Sequence, residues 1–323
     1  MEKNAPIHDE ILDFLRRQDN YLVTAHLSAD GDAYGAALAM AYLLEKWGKR
    51  YEIIFHDRHK EEKYSYLWGW DKIRAGERNW PQPFDAAIVV DVPSRSRMGD
   101  PAALLPPPER CVKIDHHPIE EEFTRYSLVD TSASSTCQLI YDMLVRSGIE
   151  FDRVLADLLL SGIMYDTGRF SFSNTNRRDF EIAAHLVSFG SQPNQIATHL
   201  FFNHNFQSLK ILGYGLANME SYLDGKVCVI CLPLSIMEQA QQVDIDELSN
   251  YSIAVKGAEV GLFIRQPEPG FVKVSFRSKG RVDVNKIARL FGGGGHIHAA
   301  GCRVTGHPEE IKQKIIAEIR AQL

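Results

Sequence analysis

Acids and histidines gather in four short segments of this chain. HLSADGD brings His26, Asp30 and Asp32 into one stretch, and AAIVVDV carries Asp91. IDHHP sets Asp115, His116 and His117 side by side, and YDTGRF holds Asp166. Carboxylates brought together raise one another's pKa unless cations compensate. Mixed carboxylate and imidazole donors suit Mn²⁺, Fe²⁺, Co²⁺ or Zn²⁺, with Mg²⁺ a further option. Two such ions about 3.5–4 Å apart, sharing a carboxylate and a water, make a standard centre for in-line attack on phosphorus. Taken alone, each segment has a plainer explanation. HLSADGD reads as an Asx-rich turn capping the next helix, Asp91 as a strand-end turn residue, IDHHP as a solvated loop and YDTGRF as turn chemistry. What gives them weight is their common placement.

That placement depends on the elements before each segment. Apolar runs at Tyr21–His26, Tyr51–His56, Ala86–Val92 and Arg110–His117 read as strands, the third being the clearest. A helical stretch from AYGAALAMAYLLEKWG to Gly48 follows the first, and helices are expected over Ser135–Ser147 and Arg153–Tyr165. Continuous apolar strands alternating with helices predict an α/β fold with a largely parallel sheet covered by helices on both faces. Ligands of such sheets bind beyond the carboxyl ends of the strands, where the acids and histidines fall.

From Asp179 to Ser221 the pattern is helical without convincing strands, broken at Gly190 and Pro193. A smaller α/β domain then starts afresh. KVCVICL, AEVGLFIRQ and FVKVSFRSK read as strands, the last two joined by PEPG as a hairpin. VDVNKIARLF reads as a helix, GGGGHIHAAG as a loop, and PEEIKQKIIAEIRAQL as a final helix opened by Pro. The expected domains are 1–190 for metal binding and catalysis, 191–220 as a helical linker, and 221–323 for substrate binding. Glycines 292–295 leave backbone N–H groups able to approach an anion closely. With Arg277 and His296 nearby in sequence they outline a phosphate clamp; a flexible turn and a solvated strand-end arginine are the plainer alternatives.

With 323 residues, two domains are the natural expectation. A net charge of −6 argues against a protein gripping long duplex nucleic acid, although metals in a cleft can reverse the local field for a small anionic substrate. No apolar run reaches the roughly 20 residues of a membrane span. The N-terminus, MEKNAPIHDEILDFLRRQDN, reads as an amphipathic helix without the apolar segment of a secretory signal. Of five cysteines, Cys228 and Cys231 form a CxxC inside a strand-like run, which reads as buried thiols in a reducing cytoplasm. A homodimer is the default expectation for a soluble chain.

With these segments placed, the chain closely resembles the DHH phosphoesterase superfamily. HLSADGDAYGAA is similar to its first motif, VVDVPSRSRMG contains the Asp of the second, IDHHP is the third, and SGIMYDTGRFSFSNT is similar to the fourth. GGGGHIHAAG resembles the glycine signature of the associated C-terminal domain. Length and the short connection between domains look most like the NrnA-type branch, whose members degrade very short oligoribonucleotides and dephosphorylate phosphoadenosine phosphate (PAP). The resemblance implies two divalent metal ions, Mn²⁺ foremost, with Mg²⁺ or Co²⁺ as alternatives. It assigns His26, Asp30 and Asp91 to one ion, and Asp32, Asp91, His116 and Asp166 to the other. Asp115 would fix a histidine tautomer, and His117 would face the substrate phosphate. In the C-terminal domain it points to Arg277, Ser278, Gly294, Gly295 and His296 as substrate contacts. Gly35-Ala36 stands where Gly-Ser is common, at a position that is not a ligand.

Rival activities on the same metal core are hydrolysis of pyrophosphate or polyphosphate, or of cyclic or linear dinucleotides. A non-catalytic nucleotide-binding protein is a further alternative, weakened because every expected ligand position holds Asp or His.

Overall fold

The computed structural model describes residues 5–76, 80–240, 245 and 247–323. They form two compact units, residues 1–203 and 204–323. Among the described residues no helix is long and apolar enough to cross a membrane.

In the first unit the N-terminal amphipathic stretch forms α1 (Ala5–Arg17), with residues 1–4 outside the described part. Six strands follow: β1 (Tyr21–Thr24), β2 (Tyr51–Phe55), β3 (Ile73–Ala75), β4 (Ala86–Val90), β5 (Cys111–Asp115) and β6 (Tyr126–Val129). They pair in parallel in the order β3-β2-β1-β4-β5-β6. The order reverses between β1 and β4, the kind of switch point where open α/β sheets bind ligands. The helices are α2 (Gly31–Lys46), α3 (Thr136–Ser147), α4 (Arg153–Asp166), α5 (Arg177–Ser188) and the short α6 (Pro193–Ala197).

Side chains alternate across each strand, so one set faces each side of the sheet. Tyr21, Val23, Ile53, Phe55, Ile88 and Val90 join the core beneath the α-helices. Leu22, Ile54, Ala87 and Cys111 point the other way, where Trp80, Phe84, Leu104 and Leu105 cover them. That second face is closed by loops and short 3₁₀ turns. Strands buried on both sides explain the unbroken apolar runs. The strands end earlier than the apolar runs suggested, so His26 and Asp91 lie just past the ends of β1 and β4. Asp166 is not in a turn after its helix; it is the last residue of α4.

Helices α2 and α4 pack along glycines. A Cβ on Gly35 would lie 2.6 Å from the Leu158 carbonyl, and one on Gly162 would lie 2.6 Å from Asp32 Oδ1. This close approach sets the first turn of α2 beside the C-terminal half of α4.

The second unit contains α7 (Phe206–Ala217), β7 (Glu220–Tyr222), β8 (Val227–Leu232), α8 (Leu234–Met237), α9 (Leu248–Ile253), β9 (Val260–Glu268), β10 (Phe271–Ser278), α10 (Val284–Leu290), β11 (Gly294–Gly295), β12 (Ala299–Thr305) and α11 (Pro308–Arg320). Its sheet runs β11-β12-β10-β9-β8-β7, with only β8 and β9 parallel. The β9–β10 hairpin turns at Gly270, whose φ of 73° suits glycine. Cys228 and Cys231 sit on β8 as free thiols, and burial pushes both pKa values up.

The glycine segment is not a loop. Gly294 and Gly295 pair with Gly301 and Ala300. A Cβ on Gly293 would lie 2.0 Å from the Gly301 carbonyl, so glycine here permits two backbones to touch.

Candidate metal centre

Asp30 is the N-cap of α2. Its Oδ1 accepts from the amides of Asp32 (3.1 Å) and Ala33 (3.2 Å), so the capping role and a place at the site coexist in one residue. The cap in turn fixes Asp32 in the helix's first turn. There Asp32 is fully buried and accepts from the amides of Thr136 (2.6 Å) and Cys137 (3.0 Å) at the start of α3. Helix N-termini favour carboxylates in this way.

Asp91 follows β4 with φ of 61°, a left-handed conformation uncommon outside glycine and best tolerated by Asn and Asp. Its amide still donates to the Ile114 carbonyl at 2.9 Å. The kink puts its carboxylate amid three imidazoles. Oδ2 lies 3.3 Å from His26 Nε2, and Oδ1 lies 3.6 Å from His116 Nε2 and 3.2 Å from His117 Nδ1. Thr136 Oγ donates to the same Oδ1 at 3.0 Å. Asp166, at the end of α4, approaches His116 Nε2 at 3.1 Å. It is held there by a glycine-terminated helix end: Gly168 and Arg169 donate to the carbonyls of Tyr165 and Met164.

Ligand atoms of His26, Asp30 and Asp91 lie within 4.8 Å of one another, and so do those of Asp32, Asp91 and His116. Asp91 belongs to both sets. Asp91, Asp115 and His117 form a third. The donors suit divalent cations. His26 Nδ1 lies 2.9 Å from the Leu27 carbonyl and donates to it, which leaves Nε2 to face Asp91 and Asp30. A neutral imidazole nitrogen and a carboxylate oxygen are both acceptors, so the pair calls for a proton or a metal cation between them, and the donor set suits the latter. A metal-binding histidine is commonly oriented by just such a second hydrogen bond.

Electrostatics make the same point. Burial works against charge on His26, but hydrogen bonding with Asp30 and Asp91 outweighs it and raises its pKa well above the usual range. Burial also opposes a charged His116, yet its bond to Asp166 and the nearby carboxylates push it up to about 9. Asp32 is raised by burial and by the charges of Asp166 and Asp91. Asp166 is pushed up to about 6, first by burial. Burial would raise Asp91 too, but bonds from His117 and His26 hold it well below the carboxylate range.

Raised pKa values stabilise the metal-free fold at low pH, and that contribution is lost as pH rises through the folded-state values. Metal and proton also compete for His116. Apparent affinity for Mn²⁺ is therefore expected to keep rising from pH 6.5 to about 9, where an ordinary imidazole would level off near 6.5. Calorimetric titration across that interval reads this directly. A plateau just above 6.5 would count against it.

Asp115 is fully buried. Its Oδ1 accepts from the amide (3.0 Å) and Nδ1 (2.9 Å) of His117, orienting that ring. Of the aromatic residues after Asp166, Phe170 stacks on Phe180 at 5.1 Å, and Phe172 lies against Gly168.

In the second unit, Arg277 is the penultimate residue of β10 and pairs with Ala299, so it shares a sheet end with the His296–Ala299 turn. Its Nε donates to Asn250 Oδ1 at 3.0 Å. Ser278 is committed locally: its hydroxyl donates to the Val282 carbonyl (2.6 Å) and accepts from the Gly280 amide. The amides of Gly292, Gly293 and His296 donate to Arg289, Ala288 and Ala299 carbonyls. Those three amides are engaged within the unit, while Gly294 and Gly295 pair with β12.

Sequence reasoning missed Thr136, Gly162 and Asn250. None carries charge, and their contacts bridge segments distant in the chain.

Residues 20–163 match the DHH family, N-terminal domain, and residues 224–323 match the DHHA1 domain. The bifunctional oligoribonuclease and PAP phosphatase NrnA of Thermus thermophilus is 29% identical over 93% of this chain and 89% of its own length. The Bacillus subtilis protein of the same name is 26% identical over 96% of each chain. An exopolyphosphatase-related protein from Bacteroides fragilis shares the fold, with a TM-score of 0.89 and 24% identity over 98% of both chains. With its four acid-and-histidine segments converging at one end of a parallel sheet, and with the DHH and DHHA1 models together matching most of its length, the chain belongs to the DHH family.

Proposed function

We propose that the protein is a two-metal phosphoesterase that hydrolyses short oligoribonucleotides and phosphoadenosine phosphate in the cytoplasm. One observation carries this reading: a single buried carboxylate, Asp91, belongs to two adjacent donor sets. The names of the similar proteins from T. thermophilus and B. subtilis support the substrate class.

In this reading His26, Asp30 and Asp91 hold one ion, and Asp32, Asp91, His116 and Asp166 hold the other. Mn²⁺ is the favoured metal, with Mg²⁺ or Co²⁺ as alternatives. When bound, the ions neutralise phosphoryl charge and acidify water. Asp115 keeps the His117 Nδ1 proton in place, so Nε2 is the nitrogen His117 presents to substrate. The raised pKa of His117, set by Asp115 and Asp91 against the opposing effect of burial, suits it to donate a proton to a phosphoryl or leaving oxygen. Residues 1–190 carry the chemistry, 191–220 connect, and 221–323 bind the nucleotide through Arg277 and the Gly294–His296 hairpin.

A panel of di- to pentaribonucleotides, PAP, pyrophosphate and a cyclic dinucleotide, with Mn²⁺ or with chelator, tests the proposal. Short RNA and PAP should be hydrolysed only with metal. Preferential turnover of pyrophosphate or the cyclic dinucleotide would replace it.

Arg277→Ala should raise KM for nucleotides about tenfold or more while leaving kcat on a small activated phosphoester near wild type. Equal losses on both substrates would contradict a binding role. Asn250→Ala, which removes one anchor of the guanidinium and keeps the group itself, should show a weaker form of the same pattern.

A further inference from the structure

We propose that Asp57 is a positioning residue for the His26–Asp30 half of the centre, an internal anion that holds the loop between these two ligands in shape. The inference rests on the two-ion reading above. Asp57 lies just beyond β2, and it belongs to none of the ligand groups. Its Oδ1 accepts from the amide of Ser28 at 3.0 Å and its Oδ2 from the amide of Ala29 at 3.1 Å.

Ser28 has φ of 58°. For serine this left-handed conformation carries a steric penalty and persists only where surroundings impose it. Successive amides turned to one side by such a residue form a concave nest that attracts an anion. Here the chain supplies that anion from its own next strand.

The backbone between the two ligands is thereby accounted for. Leu27 donates to the Arg97 carbonyl (2.7 Å), while Ser28 and Ala29 donate to Asp57. The far end of the loop is fixed by the Asp30 cap. Asp57 is itself anchored, because its neighbour His56 accepts from the Asp100 amide at 3.0 Å, tying the end of β2 to the segment after β4. Removing the carboxylate lets Ser28 relax, and the spacing of His26 and Asp30 relaxes with it. Asp32 and His116 are held from α3, β5 and α4, so the second donor set keeps its geometry.

Asp57→Asn tests this with little change in size, since the amide group would set a donor against one of the two N–H groups. Mn²⁺ alone is titrated into the full-length chain by calorimetry. Asp57→Asn should weaken one class of Mn²⁺ site roughly tenfold, in the range seen when outer partners of metal ligands are changed, and leave the other class unaltered. Ser28→Gly in the Asp57→Asn background should recover part of the lost affinity, because glycine adopts the left-handed conformation freely. A purely structural role would move the melting temperature without that selectivity or rescue. Unchanged Mn²⁺ binding, equal weakening of both classes, or no recovery with Ser28→Gly overturns the role of Asp57. A wild-type chain that binds no Mn²⁺ overturns the two-ion reading itself, and the role of Asp57 with it.

Discussion

Asp91→Ala is expected to lower metal-dependent hydrolysis of short oligoribonucleotides by about 10³-fold or more, since the ions contribute several kcal/mol of transition-state stabilisation. Both donor sets lose a member at once, whereas any other single ligand change affects one. The variant should still fold, because Asp91 lies beyond the strand and its carboxylate does not fill the apolar core. Two smaller costs accompany the loss. Alanine tolerates the left-handed backbone at this position less well than aspartate does. His26 and His117 also lose the anion that holds their protons, a stabilising effect present at neutral pH and lost as pH falls through the depressed pKa of Asp91. Asp91→Asn separates these effects: it keeps backbone tolerance and a hydrogen-bond acceptor, yet removes the charge. It should be nearly as inactive as the alanine variant, with a melting temperature closer to wild type. Wild-type turnover by either variant would refute the bridging role.

Gly162→Ala is expected to be severely damaging, against the ordinary rule that alanine improves a helix interior by about 1 kcal/mol over glycine. Here the new methyl would lie 2.3 Å from Cys137 Sγ and 2.6 Å from Asp32 Oδ1. Both neighbours are fully buried, and Asp32 is pinned by two amides of α3, so neither can yield freely. Overpacking of this kind costs about 1–3 kcal/mol. Shifting a ligand by about 1 Å can cost on the order of 10²-fold in rate. Thermal melts and Mn²⁺-dependent turnover should therefore fall together. A variant as stable as wild type with full turnover would show that α2, α3 and α4 repack at little cost.

The contrast between these two positions shows what was legible in the residues. An aspartate closing a β-branched run is conspicuous, and the rule that ligands gather beyond strand ends gave it a meaning. The long central strands announced themselves because both faces are buried. Strands β3 and β6, with three and four residues, are too short to show a period. The residues around Asp166 mark it out in sequence, but they do not separate the last residue of α4 from the turn after it, since a helix end and a turn share the same residue types. Gly162 reads in sequence only as a weak spot in a helix. Thr136 looks like an ordinary helix start, and its bond to Asp91 spans 45 residues. The glycine run reads as a loop in sequence because a two-residue strand has no period of its own: Gly292 and Gly293 bond back to α10, and Gly294 and Gly295 pair with β12.

One arrangement has a bearing on how the molecule comes to life. The donors are drawn from positions 26 through 166, and the last arrives on a helix that must seat against α2 before Asp166 can meet His116. A nascent polypeptide lacking that helix would own most of the coordinating groups yet have no place to gather them. Cations would then reward only the completed unit, tightening its hold on the native state in proportion to their concentration and leaving immature forms to compete unaided.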